Sequence, residues 1–155
     1  MATEIERKFL VAGDGWKSAT LTETRIMQGY LASSPRATVR ARVKGSEGVL
    51  TIKGATRGIS RAEYEYAIPA EDARAMLDDL AEGGIIDKVR YRVRAGRHIW
   101  EVDVFAGDND GLVLAEIELG SENEAFERPD WLGEEVSADP RYYNASLAQN
   151  PYQHW

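Results

Sequence analysis

The sequence predicts a mainly β protein built around an antiparallel sheet. Seven segments alternate apolar and polar residues with a period of two, which is typical of strands whose two faces meet different surroundings. Short turns that contain glycine, at 44–48 and 95–97, join some of these segments into hairpins. The seven segments are 4–10, 36–44, 49–53, 61–68, 88–94, 99–105 and 112–119.

Helical patterns are fewer, and each has a recognisable start or stop signal. Residues 69–82 carry apolar side chains at helical spacing and end at a pair of glycines, which favours a helix with a glycine C-cap. A second helix is expected to begin near Ser121, whose spacing to Glu124 matches a capping box. A third is expected over 137–148, with a proline early in it.

Length and composition predict one domain over residues 1–155. The chain is 43% hydrophobic, which is enough for a full core, and it has no linker-like tract. It carries no apolar run long enough to span a bilayer and no secretory signal pattern, so we expect a cytoplasmic protein without membrane association. The oligomeric state stays open.

Several classes of site are excluded by composition. The chain has no cysteine and only two histidines, so thiolate zinc sites, cysteine nucleophiles and imidazole metal sites are disfavoured, and any metal must be held by oxygen. A net charge of −7 argues against a nucleic-acid partner. No phosphate-binding GxxxxGK[ST] loop, GxGxxG motif or GxSxG motif occurs.

Charged residues occupy one face of nearly every predicted strand, and Val, Ile, Tyr and Trp occupy the other. Alternation alone would favour a sheet whose polar face lies in water. Here, however, carboxylates and cations form separate pairs at i and i+2, and paired carboxylates are best tolerated with a divalent cation between them. The charged side chains are Glu4, Glu6, Lys8, Arg40, Arg42, Lys53, Glu63, Glu65, Lys88, Arg90, Arg92, Glu101, Asp103, Glu116 and Glu118.

This pattern predicts an ionic face that lines the inside of a closed barrel. Acidic strands suited to Mg²⁺ or Mn²⁺ stand beside basic strands with arginine and lysine, which bind phosphate oxygens. The combination is typical of a site for a polyanion that binds together with its metal. By the same alternation, Arg7 faces outward, and Lys44 at a strand end is expected to be a surface charge.

A series of motifs resembles one known family along nearly the whole chain. EIERKFLV at the N-terminus contains ExExK, and the matching segments QGYL, VRARV, LTIKG, RAEYEYAI, KVRYRV, WEVDVF, LAEIEL and EEVSADPRYYNASLA follow in order. Together they resemble the CYTH domain, or triphosphate tunnel metalloenzyme, family. Within it, the compact EIERKFLV type is most similar to the bacterial inorganic triphosphatases.

The resemblance implies a closed antiparallel eight-stranded β-barrel tunnel, dependence on Mg²⁺ or Mn²⁺, and a small-molecule triphosphate substrate. It also implies roles for particular residues. Glu63, Glu65, Asp103 and Arg92 would be either ligands or salt-bridge partners of the neighbouring cations. The implied metal ligands are Glu4, Glu6, Glu116 and Glu118, and the implied phosphate contacts are Lys8, Arg40, Arg42, Lys53, Lys88 and Arg90.

Three functional readings follow. The first is hydrolysis of inorganic triphosphate to diphosphate and phosphate. The second is another activity of the same family, such as class IV adenylate cyclase, thiamine triphosphatase or nucleoside triphosphatase. The third is a module that binds polyphosphate or nucleotide without turnover, against which the four clustered carboxylates argue, because anion binding alone would need only the cations.

Overall fold

The computed structural model describes residues 3–155, and nine antiparallel strands dominate it. Two α-helices and four short 3-10 helices connect or cover them. The strands are β1 Thr3–Val11, β2 Thr20–Ser33, β3 Ala37–Lys44, β4 Glu47–Gly54, β5 Ser60–Ile68, β6 Glu82–Ala95, β7 His98–Phe105, β8 Val113–Glu118 and β9 Leu132–Glu135.

Eight of the strands close into a barrel, as the resemblance implied. Their order is β5-β4-β3-β2-β6-β7-β8-β1, and β1 returns to β5 through three residue pairs, from Thr3↔Ala62 to Ile5↔Ser60. The short strand β9 adds to the second half of β1, next to Phe9 and Val11. In this order β3 lies four strands from β8, so the two strands occupy opposite walls of the barrel.

The hydrophobic core lies outside the barrel wall because the apolar face of each strand points outward. One cluster packs around Trp100 beneath the irregular segment that carries Phe126 and Trp131. Two others lie beneath the helices, with Leu77 of the first helix and Leu147 of the second at their centres. Each such fully buried side chain stabilises the fold by roughly 1.5–3 kcal/mol. The packing of the covering segments against the barrel wall therefore stabilises the fold, and charged side chains line the interior.

The predicted helices met three different outcomes. The first is confirmed as α1 Ala70–Leu80. The third is shorter than expected, since a 3-10 helix, Pro140–Tyr142, precedes α2 Asn144–Gln149. The second is wrong: the Glu124 carboxylate accepts a hydrogen bond from the Gly120 amide and contacts His98 at 2.5 Å, so the capping box does not form. No helix within residues 3–155 is long and apolar enough to cross a membrane.

Candidate active site

A cavity of about 770 Å³ runs through the barrel interior. Its lining extends from the turns at 34–35 and 54–59 to the β3–β4 turn and Ala145 of α2. All ten residues to which metal or phosphate roles were given line it together with Glu63, Glu65 and Glu101. The ten are Glu4, Glu6, Lys8, Arg40, Arg42, Lys53, Lys88, Arg90, Glu116 and Glu118.

Two charged residues, Arg92 and Lys44, depart from the sequence-based expectations, whereas Asp103 and Arg7 follow them. Arg92 is exposed and does not line the cavity, although Glu101, its partner across the β6–β7 ladder, does. Asp103 is almost fully buried behind the cavity lining. It contacts cationic side chains there and does not face the cavity. Lys44, expected to be a surface charge, is half-buried and lines the cavity. Arg7 does face outward, and its guanidinium binds Glu135.

One wall of the cavity presents two buried arginines on β3. Arg42 donates from Nε to Gln28 Oε1 at 2.7 Å, and among residues 3–155 it makes no ion pair. Arg40 donates to the Thr51 hydroxyl at 3.2 Å, and its nearest carboxylate oxygen, on Glu65, is 3.9 Å away. Burial, with Arg40 and Arg90 nearby, lowers the pKa of Arg42 to about 9, so the guanidinium stays charged at neutral pH. Within residues 3–155, each of these two guanidinium groups therefore has N–H donors that no protein acceptor uses.

The opposite wall, formed by β8 and the adjacent β1, is acidic. Glu6 lies directly across the ladder from Glu118, and Lys8 lies across from Glu116. Among residues 3–155, Glu6 has no cation within ion-pairing distance. Burial, followed by Glu116 and Glu4, raises the pKa of Glu6 well above its ordinary value. The pKa of Glu118 is also raised, first by burial and then by neighbouring carboxylates.

Two lysines on the acidic side are already engaged. Lys53 Nζ lies 2.8 Å from Glu4 and 3.4 Å from Glu63. Lys8 Nζ lies 3.5 Å from Glu116 and donates to the Tyr142 carbonyl at 3.1 Å. Burial alone would lower the pKa of Lys8, but the carboxylates of Glu116 and Glu6 raise it. These pairs hold the lysines at the cavity wall.

A buried triad fixes the cations of β6. Arg90 binds both carboxylate oxygens of Asp103, at 2.8 and 2.9 Å, and Lys88 Nζ lies 2.7 Å from the same carboxylate. Burial would raise the pKa of Asp103, but Arg90 and Lys88 hold it below its ordinary value. Burial, with Arg90 and Arg42, lowers the pKa of Lys88 to about 7 despite Asp103. Asp103 thus acts as the salt-bridge partner that keeps both cations oriented.

Several uncharged side chains of the lining were not found from the sequence. Tyr30, Ser137, Tyr143 and Asn144 line the cavity beside the charged residues, as does the guanidinium-bearing Arg61. Three of them belong to the C-terminal segment, whose closing motif carried no charge pattern. Arg61 has the same alternation as Glu63 and Glu65, and that signal could have identified it.

The acidic residues fit a divalent cation by their chemistry. They offer carboxylate oxygens, the ligand type that Mg²⁺ and Mn²⁺ accept, and Glu6 is a half-buried carboxylate without a cationic partner in residues 3–155. Within the same residues no three acidic or histidine side chains yet converge on one point. Glu4 and Glu116 are instead engaged with Lys53 and Lys8, so ion binding would require these carboxylates to reorient.

Comparison with known protein families agrees with this geometry. The family model described as the CYTH domain matches residues 2–152. The chain belongs to the CYTH family. The triphosphate tunnel enzymes of the CYTH family are metal-dependent. This agrees with the carboxylates and cations that line the interior of the barrel.

Proteins named inorganic triphosphatase are similar to the chain over 94% or more of its length. An inorganic triphosphatase of Acetivibrio thermocellus is 48% identical over 155 residues, which cover 100% of this chain and 99% of the relative. An inorganic triphosphatase of Nitrosomonas europaea is 41% identical over 150 residues, 94% of this chain and 97% of the relative. The crystal structure of the inorganic triphosphatase NE1496 superposes with a TM-score of 0.67 at 38% identity, covering 96% of this chain and 95% of that one.

Proposed function

We propose that the protein hydrolyses inorganic triphosphate to diphosphate and phosphate inside the barrel, with Mg²⁺ or Mn²⁺ as its cation. The observation that carries this proposal is the separation of charge across the cavity. Within residues 3–155, Arg42 makes no ion pair, Arg40 has only the Glu65 carboxylate at 3.9 Å, and Glu6 has no cation within ion-pairing distance. The two arginines and Glu6 lie on different walls. A triphosphate that arrives with a divalent cation supplies both missing partners.

The basic residues bind and neutralise the phosphate chain. Arg40 and Arg42 have free guanidinium donors, which grip phosphate oxygens in a fork-like geometry. Lys8 and Lys88 add point charges from the neighbouring walls, and Arg90 and Lys53 contribute charge while they remain paired with carboxylates. Neutralising the charge that develops on the leaving diphosphate lowers the barrier, because phosphoryl transfer depends mainly on positioning and electrostatics.

The acidic residues bind the metal and orient water. Glu4, Glu6, Glu116 and Glu118 would hold the divalent cation, which when bound polarises phosphate oxygens and neutralises their charge. Whichever of these four carboxylates the cation leaves free accepts a hydrogen bond from the attacking water. The water oxygen then bonds to the terminal phosphorus as this carboxylate takes up its proton, the bridging P–O bond breaks, and diphosphate leaves with the bonding electrons.

A substrate panel tests the proposal. Purified protein is incubated with inorganic triphosphate, ATP or thiamine triphosphate, with Mg²⁺, Mn²⁺ or EDTA, and released phosphate is measured. We expect turnover of inorganic triphosphate above the others, and none with EDTA. Faster turnover of ATP or thiamine triphosphate would assign one of the other family activities, and tight binding without turnover would assign a binding module.

A pair of variants ties the activity to the cavity. Arg42→Ala removes a buried lining cation and should lower kcat/KM for triphosphate by about a hundredfold or more, since a charged hydrogen-bond partner of phosphate is lost. Arg94→Ala is the matched control, because Arg94 is exposed on β6 and does not line the cavity. Equal losses in both variants would contradict the assignment of the site to this cavity.

We further propose that residues 1–155 form a single CYTH domain, which the match over residues 2–152 supports.

A further inference from the structure

Asn144, the first residue of α2, ends a chain of polar side chains that reaches into the cavity. Its Oδ1 accepts hydrogen bonds from Lys88 Nζ and from Gln28 Nε2, each at 3.1 Å. The other end of the Gln28 amide, Oε1, accepts from Arg42 Nε at 2.7 Å. Lys88 of β6 and Arg42 of β3 therefore contact the two ends of a hydrogen-bonded pair of side-chain amides, Asn144 and Gln28.

The orientation of both amides follows from this arrangement. A guanidinium has donors and no acceptor, so the Gln28 atom that faces Arg42 must be oxygen. The Gln28 nitrogen is then the atom that faces Asn144, and the Asn144 atom that receives it must be oxygen. The ammonium of Lys88, which also only donates, requires oxygen at the same place. Two independent constraints thus agree on where the Asn144 oxygen lies.

The Asn144 nitrogen must consequently occupy the remaining side of the amide. Asn144 is half-buried and lines the cavity, and within residues 3–155 its Nδ2 has no acceptor and is not sealed off from solvent. An amide nitrogen that lines a cavity of cations offers two N–H donors to an anion. Such a donor would strengthen anion binding without adding positive charge to a wall where Lys88, Arg42 and Arg90 already repel one another.

We propose that the Asn144 side-chain amide donates a hydrogen bond to a phosphate oxygen of the bound triphosphate. This inference rests on the proposed function. Asn144 is then a phosphate-binding residue contributed by the C-terminal helix, and docking of α2 completes the substrate site. The alternative is that Asn144 only positions Lys88 and Gln28 through its oxygen.

Two variants test the donor and the acceptor of the Asn144 side chain. Asn144→Ala removes both the acceptor and the donor, whereas Asn144→Asp keeps an acceptor for Lys88 and Gln28 and replaces the NH₂ group with an oxygen that repels phosphate. A phosphate contact predicts weaker binding of triphosphate by about tenfold or more in Asn144→Ala, and a larger loss in Asn144→Asp. A positioning role alone predicts that the NH₂ group of the wild type meets no phosphate oxygen and keeps its resonance in place when triphosphate binds, because the charge of Asn144→Asp weakens binding in either case. Calorimetric titration of metal-free protein with triphosphate measures the dissociation constants.

The matched control is Asn150→Asp, which makes the same chemical change at an exposed residue just after α2, outside the cavity lining. It should bind triphosphate as the wild type does. Equal weakening in Asn150→Asp and Asn144→Asp would mean that added negative charge alone is responsible, and would overturn the proposal. Thermal unfolding without ligand checks that each variant folds.

A direct readout is the side-chain NH₂ resonance of Asn144 in ¹⁵N NMR spectra, assigned by its loss in Asn144→Asp. Saturation with triphosphate should shift this resonance strongly. A resonance that stays in place while the protein is saturated would overturn the proposal even if Asn144→Asp binds weakly. Failure of the wild type to hydrolyse triphosphate in the substrate panel with Mg²⁺ or Mn²⁺ would instead refute the proposed function.

Discussion

Arg40 and Arg42 show how a single pair of residues can favour ligand binding at the expense of local stability. Both are buried guanidinium groups, and the buried Nε of Arg40 has no hydrogen-bond partner among residues 3–155. Such an atom costs about 1–3 kcal/mol in the unliganded protein, because it has lost water and gained nothing. A polyanion bound by Arg40, as proposed, would remove this cost, so part of the binding free energy would come from relieving the unliganded state.

Glu6→Gln and Glu118→Gln should each abolish turnover mainly by weakening metal binding, since each removes an anionic oxygen ligand. For Glu6, the raised pKa adds a second signature: metal binding displaces the proton of any protonated carboxyl, so proton release should extend to higher pH than for a carboxyl of ordinary pKa. Calorimetric titration with Mn²⁺ in two buffers of different ionisation enthalpy measures both quantities.

Glu134→Gln provides the control for these two variants, because Glu134 is exposed on β9 and does not line the cavity. It should keep wild-type metal affinity and proton release. Normal activity and unchanged metal dependence in Glu6→Gln and Glu118→Gln would remove both residues from the proposed ligand set.

Lys88 should make the free energy of unfolding depend on pH between about 7 and 10.5. Its pKa in the folded protein is about 7, below the ordinary value of 10.5, so in this window the unfolded chain binds more protons than the folded one. Stability attributable to Lys88 therefore rises with pH, by up to about 1.4 kcal/mol per unit, and is lowest below pH 7.

Urea denaturation at several pH values between 7 and 10 measures this slope in the wild type, Lys88→Met and Lys17→Met. Lys88→Met should flatten the dependence, while Lys17→Met, which changes a mostly exposed lysine, should not. Identical slopes in wild type and Lys88→Met would show that Asp103 keeps Lys88 charged across the range.

Among the elements, the strands were predicted well because alternation reports directly on two different surroundings. All seven alternating segments are strands, and their charged faces do meet inside the barrel. Strand β2 was missed because TLTETRIMQGYLAS has no regular alternation along its length. Arg92 shows the limit of the same signal: alternation gives the face of a residue, but not whether its side chain reaches the cavity.

The polar chain of Gln28 and Asn144 could not be predicted for a different reason. Its members lie 116 residues apart in sequence, and they meet only because β2 and α2 pack at the same end of the barrel. A neutral amide within a strand or helix carries no pattern of its own. Its role depends on which cations surround it, and that is a property of the tertiary structure.

The seam between β1 and β5 should be the first part of the barrel to open. It consists of three residue pairs, whereas β2 pairs with β6 along most of the length of both strands. Hydrogen exchange should therefore be faster at the amides of 60–62 than in the β2–β6 ladder. Because triphosphate and metal would bridge opposite walls, adding both should slow exchange at the seam; equal rates at the seam and ladder would contradict this order.

At the scale of the whole molecule, the protein separates stability from function by position. The apolar clusters lie between the barrel wall and its covering segments, and the charges lie inside. A change of charge within the cavity therefore leaves the apolar packing intact. Functional sites are where such local conflicts between stability and charge are expected.

Arg40→Ala should accordingly separate folding from ligand binding. Without ligand, its melting temperature should equal or exceed that of the wild type, since a buried cation with an unpartnered Nε is removed. With triphosphate, the wild type should gain about 1.4 kcal/mol of stability per tenfold increase in ligand above the dissociation constant. Arg40→Ala should gain much less, whereas exposed Arg94→Ala should gain as the wild type does. A variant that is several kcal/mol less stable yet hydrolyses triphosphate normally would show that Arg40 is a structural salt-bridge partner, because a cation needed for the substrate cannot be removed without loss of turnover.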